Sequence, residues 1–447
     1  MSNTALARLF NQFETVSDPI HLAKISEDYF RFSPILTELL VGKRADLGVL
    51  PGSEAEVLAI AQICVEHRLA LTVRGSGTGN YGQAVPLRGG VVMDLSKLQK
   101  IKLIQPGVVE TEPGVKLARL ERAARELNWE LRMMPSTFRT ASVGGFIAGG
   151  SGGIGSILYG QLRDRGNLRA ARVVTLEDQP RILELRGDRA QSINHAYGTN
   201  GIITHLELPL APAYDWAEVV VEFADFTLAM EFGMALGKAD GVIKRMISIH
   251  QQPIPTFFTA LRNYLHGHHA VLVLVNQADL EPFEDLVKAY GGLICYQKTA
   301  IEASKGSSLI EYSWNHTTLH ARNADPNWTY LQSIFPDLKT IGQMIKHFGD
   351  EMLMHLELIR LNGEVVPAAI PLVKFTSAAR MAEIIQFHEQ RGVLIANPHT
   401  YLLEDGGMKQ VNQEQLAFKQ LVDPYGLCNP GKMRAFDLKD QDLAMDL

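Results

Sequence analysis

Apolar positions fall into two alternating rhythms along the chain, and the switch between them outlines the architecture. Ser53, Glu54 and Glu56 open a helix whose Val57, Ala59, Ile60, Ile63, Cys64 and Val65 recur at helical spacing. A short apolar strand over 70–73 then feeds a polar, glycine-rich loop over 74–83. Strands are expected over 90–95, 101–104 and 108–111, followed by a helix over 117–129. Beyond residue 160 come strands over 170–176 and 181–186, joined by a turn at 177–180, and a strand over 202–208 ended by Pro209. Residues 1–45 carry scattered apolar positions and read as helical turns.

From Trp216 the pattern changes to short strands alternating with helices: strands over 217–223, 242–250, 270–276 and 293–297, with helices over 226–236, 256–265 and 281–290 between them. Strands over 352–361, 365–370 and 393–396 and helices over 377–391 and 412–422 continue it. This order predicts an α+β chain in two domains. The later segment reads as an α/β sandwich whose sheet is covered on one face, and Pro212 marks the boundary.

Composition narrows the function. At 447 residues and 46% hydrophobic content the chain can hold two cores. A net charge of -6 with no Lys/Arg block argues against nucleic acid as a partner. No apolar run reaches the length of a membrane span, the first residues lack a leader's apolar core, and three scattered cysteines argue against a disulfide framework or a thiolate metal site. A cytoplasmic protein is expected.

The densest signal lies over 142–160, where eight glycines occur. Glycine is unfavourable in regular elements, so such density implies that bare backbone must approach something closely. Two windows match G-x-G-x-x-G, at 77–82 and 150–155. Neither has the strand before and helix after that a nicotinamide dinucleotide fold requires, which argues against that fold.

Four segments together, V-R-G-S-G-T-G-N-Y-G-Q (73–83), A-S-V-G-G-F-I-A-G-G-S-G-G-I-G-S-I-L-Y-G (141–160), Y-G-T-N-G-I-I-T (197–204) and D-P-Y-G-L-C-N-P-G-K-M (423–433), resemble the flavoenzyme family of vanillyl-alcohol oxidase and p-cresol methylhydroxylase. That family includes D-lactate and glycolate dehydrogenases. The resemblance implies a two-domain fold of the p-cresol methylhydroxylase type: a first domain, 1–212 with a C-terminal return over 411–447, that binds FAD, and a substrate-binding α/β cap, 213–410, with a mainly antiparallel sheet. It implies that Arg74, Gly75, Ser76, Gly77, Thr78, Gly79, Asn80 and Gln83 wrap the diphosphate. Pro135, Thr140, Ser142, Val143, Gly144, Gly145, Gly149, Gly152, Gly153, Ile154 and Gly155 would wrap it from the other side. Gly201, Ile202 and Ile203 would meet the adenine end, and Asn429 and Lys432 would return to the flavin ring.

Thr78 stands where relatives with covalent flavin often carry His, so non-covalent FAD is expected. Glu404-Asp405-Gly406-Gly407-Met408 replaces the Glu-His-Gly-Ile-Gly of the D-lactate branch, and no metal is expected.

A flavin dehydrogenase needs a base for the hydroxyl proton, and a carboxylate-bearing donor is best held by a guanidinium. His399 or Tyr401 is the expected base and Arg322 the anchor. His316 and His320, four apart, would share a helix face, as a metal pair or as hydrogen-bonded surface residues. Lys374 and Arg360 are lesser candidates. His266, His268 and His269 read as a surface loop, and Cys428 as a small buried hydrophobe.

The reaction implied is oxidation of a CH–OH group of a small donor, with D-2-hydroxy acids foremost. The rivals are an oxygen-using alcohol, sugar or lactone oxidase of the same family and a flavin-holding protein without turnover. The electron acceptor is left open and a homodimer is admitted.

Overall fold

The structure is a computed structural model that describes residues 3–406, 411 and 413–437. The expected tail over 438–447, Gly407 and Met408 of the acidic stretch, and the expected helix start at Asn412 lie outside the described residues.

Four sheets order the chain. A four-stranded sheet runs Thr15–Val16, Leu47–Val49, Val91–Asp94, Leu71–Arg74, its last three strands parallel. The helix Glu54–Glu66 covers it. Ser53 caps that helix by accepting from Glu56 N, and Val57, Ile60, Ala61 and Cys64 enter the core.

The second sheet is antiparallel, in the order Ile101–Gln105, Val108–Thr111, Ile202–Pro212, Ala170–Val174, Ile182–Arg186. Trp129–Leu131 pairs with the far end of Ile202–Pro212. That long strand passes through Pro209 instead of stopping there. Its last pair with Ala170–Val174 is at Glu207 and its first with Trp129–Leu131 at Leu210, so Pro209 stands at a changeover where a lost ladder donor is tolerated. The helix expected over 117–129 ends at Arg125, because Asn128 adopts a positive φ of 60° and Trp129 then enters the sheet.

The third sheet has eight antiparallel strands: Leu293–Lys298, Trp216–Phe223, His269–Asn276, Lys244–His250, His355–Leu361, Glu364–Ala369, Gln332–Ile334, Leu394–Ala396. Its pleat divides Trp216–Phe223 cleanly. Val219 and Val221 face the helices Phe226–Lys238 and Leu280–Ala289, while Val220 and its partner Leu272 face the other way. The sheet is therefore covered on both faces rather than one. The second face packs on Ile254, Phe258, Leu309, Ile310 and the helix Asn315–Ala324. The helix expected over 256–265 is two 3-10 turns, Ile254–Phe257 and Thr259–Leu261, in a segment opened by Pro253 and Pro255. The strand expected over 352–361 breaks at Met354: Met352–Leu353 joins a small three-stranded sheet, and His355–Leu361 joins the large one. Among the described residues no helix is long and apolar enough to cross a membrane.

Candidate flavin site

Three glycine-bearing segments converge on one cavity. The first leaves the strand Leu71–Arg74 and turns at Gly77 (φ 63°) and Gly82 (φ 70°). It is pinned from beneath at nearly every step. Tyr29 N donates to Gly79 O (2.7 Å), Ala84 N to Asp28 Oδ2 (3.3 Å), Asn429 Nδ2 to Gln83 O (2.8 Å) and Lys432 Nζ to Gly82 O. Burial raises the Asp28 carboxyl against the pull of Lys432, and lowers the buried Lys432 ammonium against the pull of Asp28.

The second segment contains a short helix, Val143–Gly149, capped by Ser142 Oγ accepting from Gly145 N (3.3 Å). A Cβ at Gly75 would collide with Ser142 Oγ, so the two segments touch backbone to side chain. Gln83 Nε2 ties them again by donating to Gly149 O (3.2 Å). The third segment docks along the same helix: His195 N donates to Ile147 O and Tyr197 N to Ala148 O, both 2.9 Å.

Gly75, Ser76, Gly77, Thr78, Gly79, Asn80, Gln83, Pro135, Ser142, Gly144, Gly145, Gly149, Gly152, Gly201 and Ile203 all line the cavity. The opposite wall is the second face of the large sheet and its neighbours, with Trp314, Asn315, Gln332, Ser333, Ile334, Ile359, Leu361 and Ala368. Tyr81, stacked near Tyr197, spans the gap by donating its hydroxyl to Gln332 Oε1 (2.5 Å).

Other expected cofactor residues stand elsewhere. Val143 and Ile202 are core residues. Arg74 turns its guanidinium back to Glu27 O, and Thr140 Oγ1 donates to Thr137 O. Gly153, Ile154 and Gly155 serve chain-to-chain packing: Ile154 bridges Met134, and a Cβ at Gly153 or Gly155 would strike Met134 O or Arg132 O. Asn429 and Lys432 hold the first loop from behind and do not line the cavity.

None of the five expected catalytic residues lines it either. His399 is 4% exposed and shares a 2.7 Å hydrogen bond with Ser33 Oγ through Nδ1. Tyr401 packs by Leu87 in a small cluster with Phe30, Leu36 and Leu40. Arg322 donates to Trp328 O (2.6 Å) and stacks over Phe32. His316 and His320 do share a helix, and both turn to Glu311, through its carboxylate (3.2 Å) and its carbonyl (2.9 Å). Among the described residues no group of three or more His, Cys, Asp or Glu is placed to hold a metal ion.

The burial of His399 has a measurable consequence. It lowers the imidazole to about 4, with the Tyr330 backbone as a smaller opposing influence. The unfolded chain takes up that proton near pH 6.5 and the folded one only near 4, so the histidine increasingly favours unfolding as pH falls between them, by about 3 kcal/mol at most. His399→Gln is therefore expected to stabilise the protein at pH 4.5 relative to pH 7.5 when urea unfolding of variant and wild type is compared. An identical difference at both pH values would contradict the assignment.

Sequence reasoning missed Asp28, Gln161, His195 and Gln332, which also line the cavity. Tyr81 and Tyr197 stood inside the recognised motifs without being singled out.

A cavity bounded by bare glycine backbone on one side and a largely apolar sheet on the other fits an extended dinucleotide with one flat apolar end. The geometry defines a dinucleotide-binding protein without the nicotinamide fold. Residues 45–179 match the FAD binding domain family. Over 209 residues the chain is 30% identical to glycolate oxidase subunit GlcD of Escherichia coli K12, covering 44% of this chain and 41% of that one. It is 32% identical over 182 residues to D-lactate dehydrogenase of Anaerostipes hadrus, covering 38% and 37% of the two chains. The matched stretch thus spans less than half the length of these curated relatives. A solved structure of alkyldihydroxyacetonephosphate synthase shares the fold, with a TM-score of 0.73 over 96% of this chain and 85% of that one at 16% identity. Residues 45–179 thus carry an FAD-binding domain, FAD is the cofactor, and the relatives named are a glycolate oxidase subunit and a D-lactate dehydrogenase.

Proposed function

We propose that the protein is an FAD-dependent oxidoreductase that oxidises a CH–OH group of a small donor, with 2-hydroxy acids the first class to try. One observation carries this reading: the glycine-lined cavity is closed on its far side by the large sheet, which gives a donor a walled space beside the cofactor. The names of the relatives, a glycolate oxidase subunit and a D-lactate dehydrogenase, support the substrate class.

In this reading residues 75–80 and 142–152 hold the diphosphate through backbone amides, and Gly201 and Ile203 meet the adenine end. Lys432 and Asn429 keep the first loop in shape rather than touching the cofactor, and Asp28 holds Ala84 N from the cavity wall. Bound FAD supplies a two-electron acceptor for the hydride of the donor. The hydroxyl proton needs its own acceptor, and among the described residues lining the cavity His195 supplies the imidazole. Its Nδ1 lies 3.0 Å from Gly150 O, so Nδ1 carries the hydrogen and Nε2 is the basic nitrogen. Gln332, Asn315 and Ser333 offer hydrogen bonds to the donor, and Ile334, Ile359 and Leu361 exclude water.

Residues 1–212 with the C-terminal return would form the cofactor domain and 213–410 the cap over the donor. The three cysteines are free, which suits a reducing compartment such as the cytoplasm. With the flavin bound, D-lactate, glycolate or D-2-hydroxyglutarate is expected to bleach its absorption anaerobically; silence with all three would discard the substrate class. Peroxide formed during turnover in air would favour the oxidase reading over a dehydrogenase.

A further inference from the structure

The second face of the large sheet carries a group of buried polar side chains that the reading above does not use. Glu357 stands two residues before Ile359 on the strand His355–Leu361, hence on the same face as that cavity-lining residue. Its register partner Ser248 lies beside it, and the His250–His355 pair comes next, the two rings stacked at 4.5 Å. All four residues are buried. Glu357 Oε1 accepts from Ser248 Oγ (2.7 Å), from Trp314 N (2.6 Å), and bonds His355 Nε2 (2.9 Å). A carboxylate this deeply buried is tolerated only with several donors, and one of its donors is the backbone of a residue lining the cavity.

Trp314 is itself in an unusual conformation. Its φ of 51° and ψ of -140° belong to a region that residues other than glycine rarely adopt, and it opens the helix Asn315–Ala324 without a side-chain cap. A bulky indole is thus held in a strained backbone, by a buried carboxylate, at the wall of the cavity. Local backbone preference would select glycine there; the indole instead packs partly against the Phe258, Leu309 and Tyr312 cluster and also faces the cavity.

We propose that Trp314, pinned through its N–H by Glu357, sets the size of the donor admitted beside the flavin. Trp314 is the specificity-determining residue and Glu357 a positioning residue. This rests on the reading that the sheet side of the cavity takes a CH–OH donor.

The test uses the full chain with FAD bound and a matched pair of donors, D-lactate and its phenyl counterpart D-mandelate. In Trp314→Ala and Trp314→Gly the ratio of kcat/KM for mandelate over lactate is expected to rise by at least about tenfold, a pocket enlarged by several carbons. Glu357→Ala is expected to move the ratio the same way, whereas Glu357→Gln, which keeps an oxygen for Trp314 N–H, retains the wild-type ratio. A second readout needs no turnover: the Gly variant should melt at a higher temperature than the Ala variant, because only glycine relieves the strained φ. An unchanged ratio in both Trp314 variants, or an Ala variant as heat-stable as the Gly variant, would overturn the proposal while leaving the flavin reading intact. Wild-type flavin bleached by neither donor of the pair nor by any other CH–OH compound would overturn both.

Discussion

Replacing Arg245 by Met is expected to destabilise the protein by about 3–5 kcal/mol, the cost of leaving a buried carboxylate without its partner. Arg245 lies on the strand Lys244–His250 of the large sheet and reaches out of it. Its Nη1 is 3.0 Å from Glu121 Oε1 and 3.9 Å from Glu130 Oε2, and its Nη2 donates to Leu131 O (2.8 Å). The side chains of Arg245 and Glu130 are 3% and 0% exposed. Desolvation already pushes the Glu130 carboxyl up, and Arg245 is the first influence opposing it. Arg125 also pairs with both carboxylates but is itself partly exposed, so it offsets only part of the loss. Because Arg245 O also accepts from Gly155 N (2.9 Å), the same residue ties the glycine run to the large sheet. Urea unfolding measures the effect. Adding Glu121→Gln and Glu130→Gln to the Met variant should restore part of the stability, and a variant as stable as wild type would refute the assignment.

The glycines of the central run are expected to separate into two classes under substitution. Gly155→Ala should cost about 3 kcal/mol or more, since its φ of 101° is closed to alanine and the added Cβ would strike Arg132 O. Gly145→Ala should cost far less, about 1 kcal/mol, because its Cβ would meet only Ser142 Oγ, at 2.9 Å, and that hydroxyl can turn away at the expense of its cap bond to Gly145 N. That methyl would enter the cavity Gly145 lines, and FAD affinity is expected to fall at least about tenfold, or about 1.4 kcal/mol. Thermal melts and flavin titration of both variants measure the two effects separately. A Gly145 variant that binds FAD as wild type does would place the diphosphate elsewhere.

This division explains where sequence reading stopped. The density of glycine is visible in the sequence, but its two causes look alike there. Gly145 and Gly149 bare the backbone to the cavity, whereas Gly153 and Gly155 let two stretches of the same chain approach. Local signals served well wherever structure is local: the Ser53 cap, the helix after it, and the alternating strands after Trp216. They failed where partners are distant. Pro209 reads as a strand end until the exchange of partners along Ile202–Pro212 is known.

The residues expected for catalysis stand away from the cavity for a related reason. His399, Arg322 and His320 are residue types that do chemistry when aimed into a cavity, yet here Ser33, Trp328 and Glu311 claim their polar atoms. No pattern along the chain encodes those contacts. The far wall of the cavity is drawn from Trp314, Gln332, Ile359 and Ala368, on separate elements assembled by the sheet, so it was illegible in advance.

A non-covalent grip on FAD by the segments over 74–83, 141–152 and 197–203 is tested by titrating flavin-free protein with FAD and then precipitating the complex with acid. Saturable, stoichiometric binding with all flavin recovered in the supernatant is the predicted result. Protein that takes up no FAD, or a precipitate that keeps its yellow colour, would contradict it.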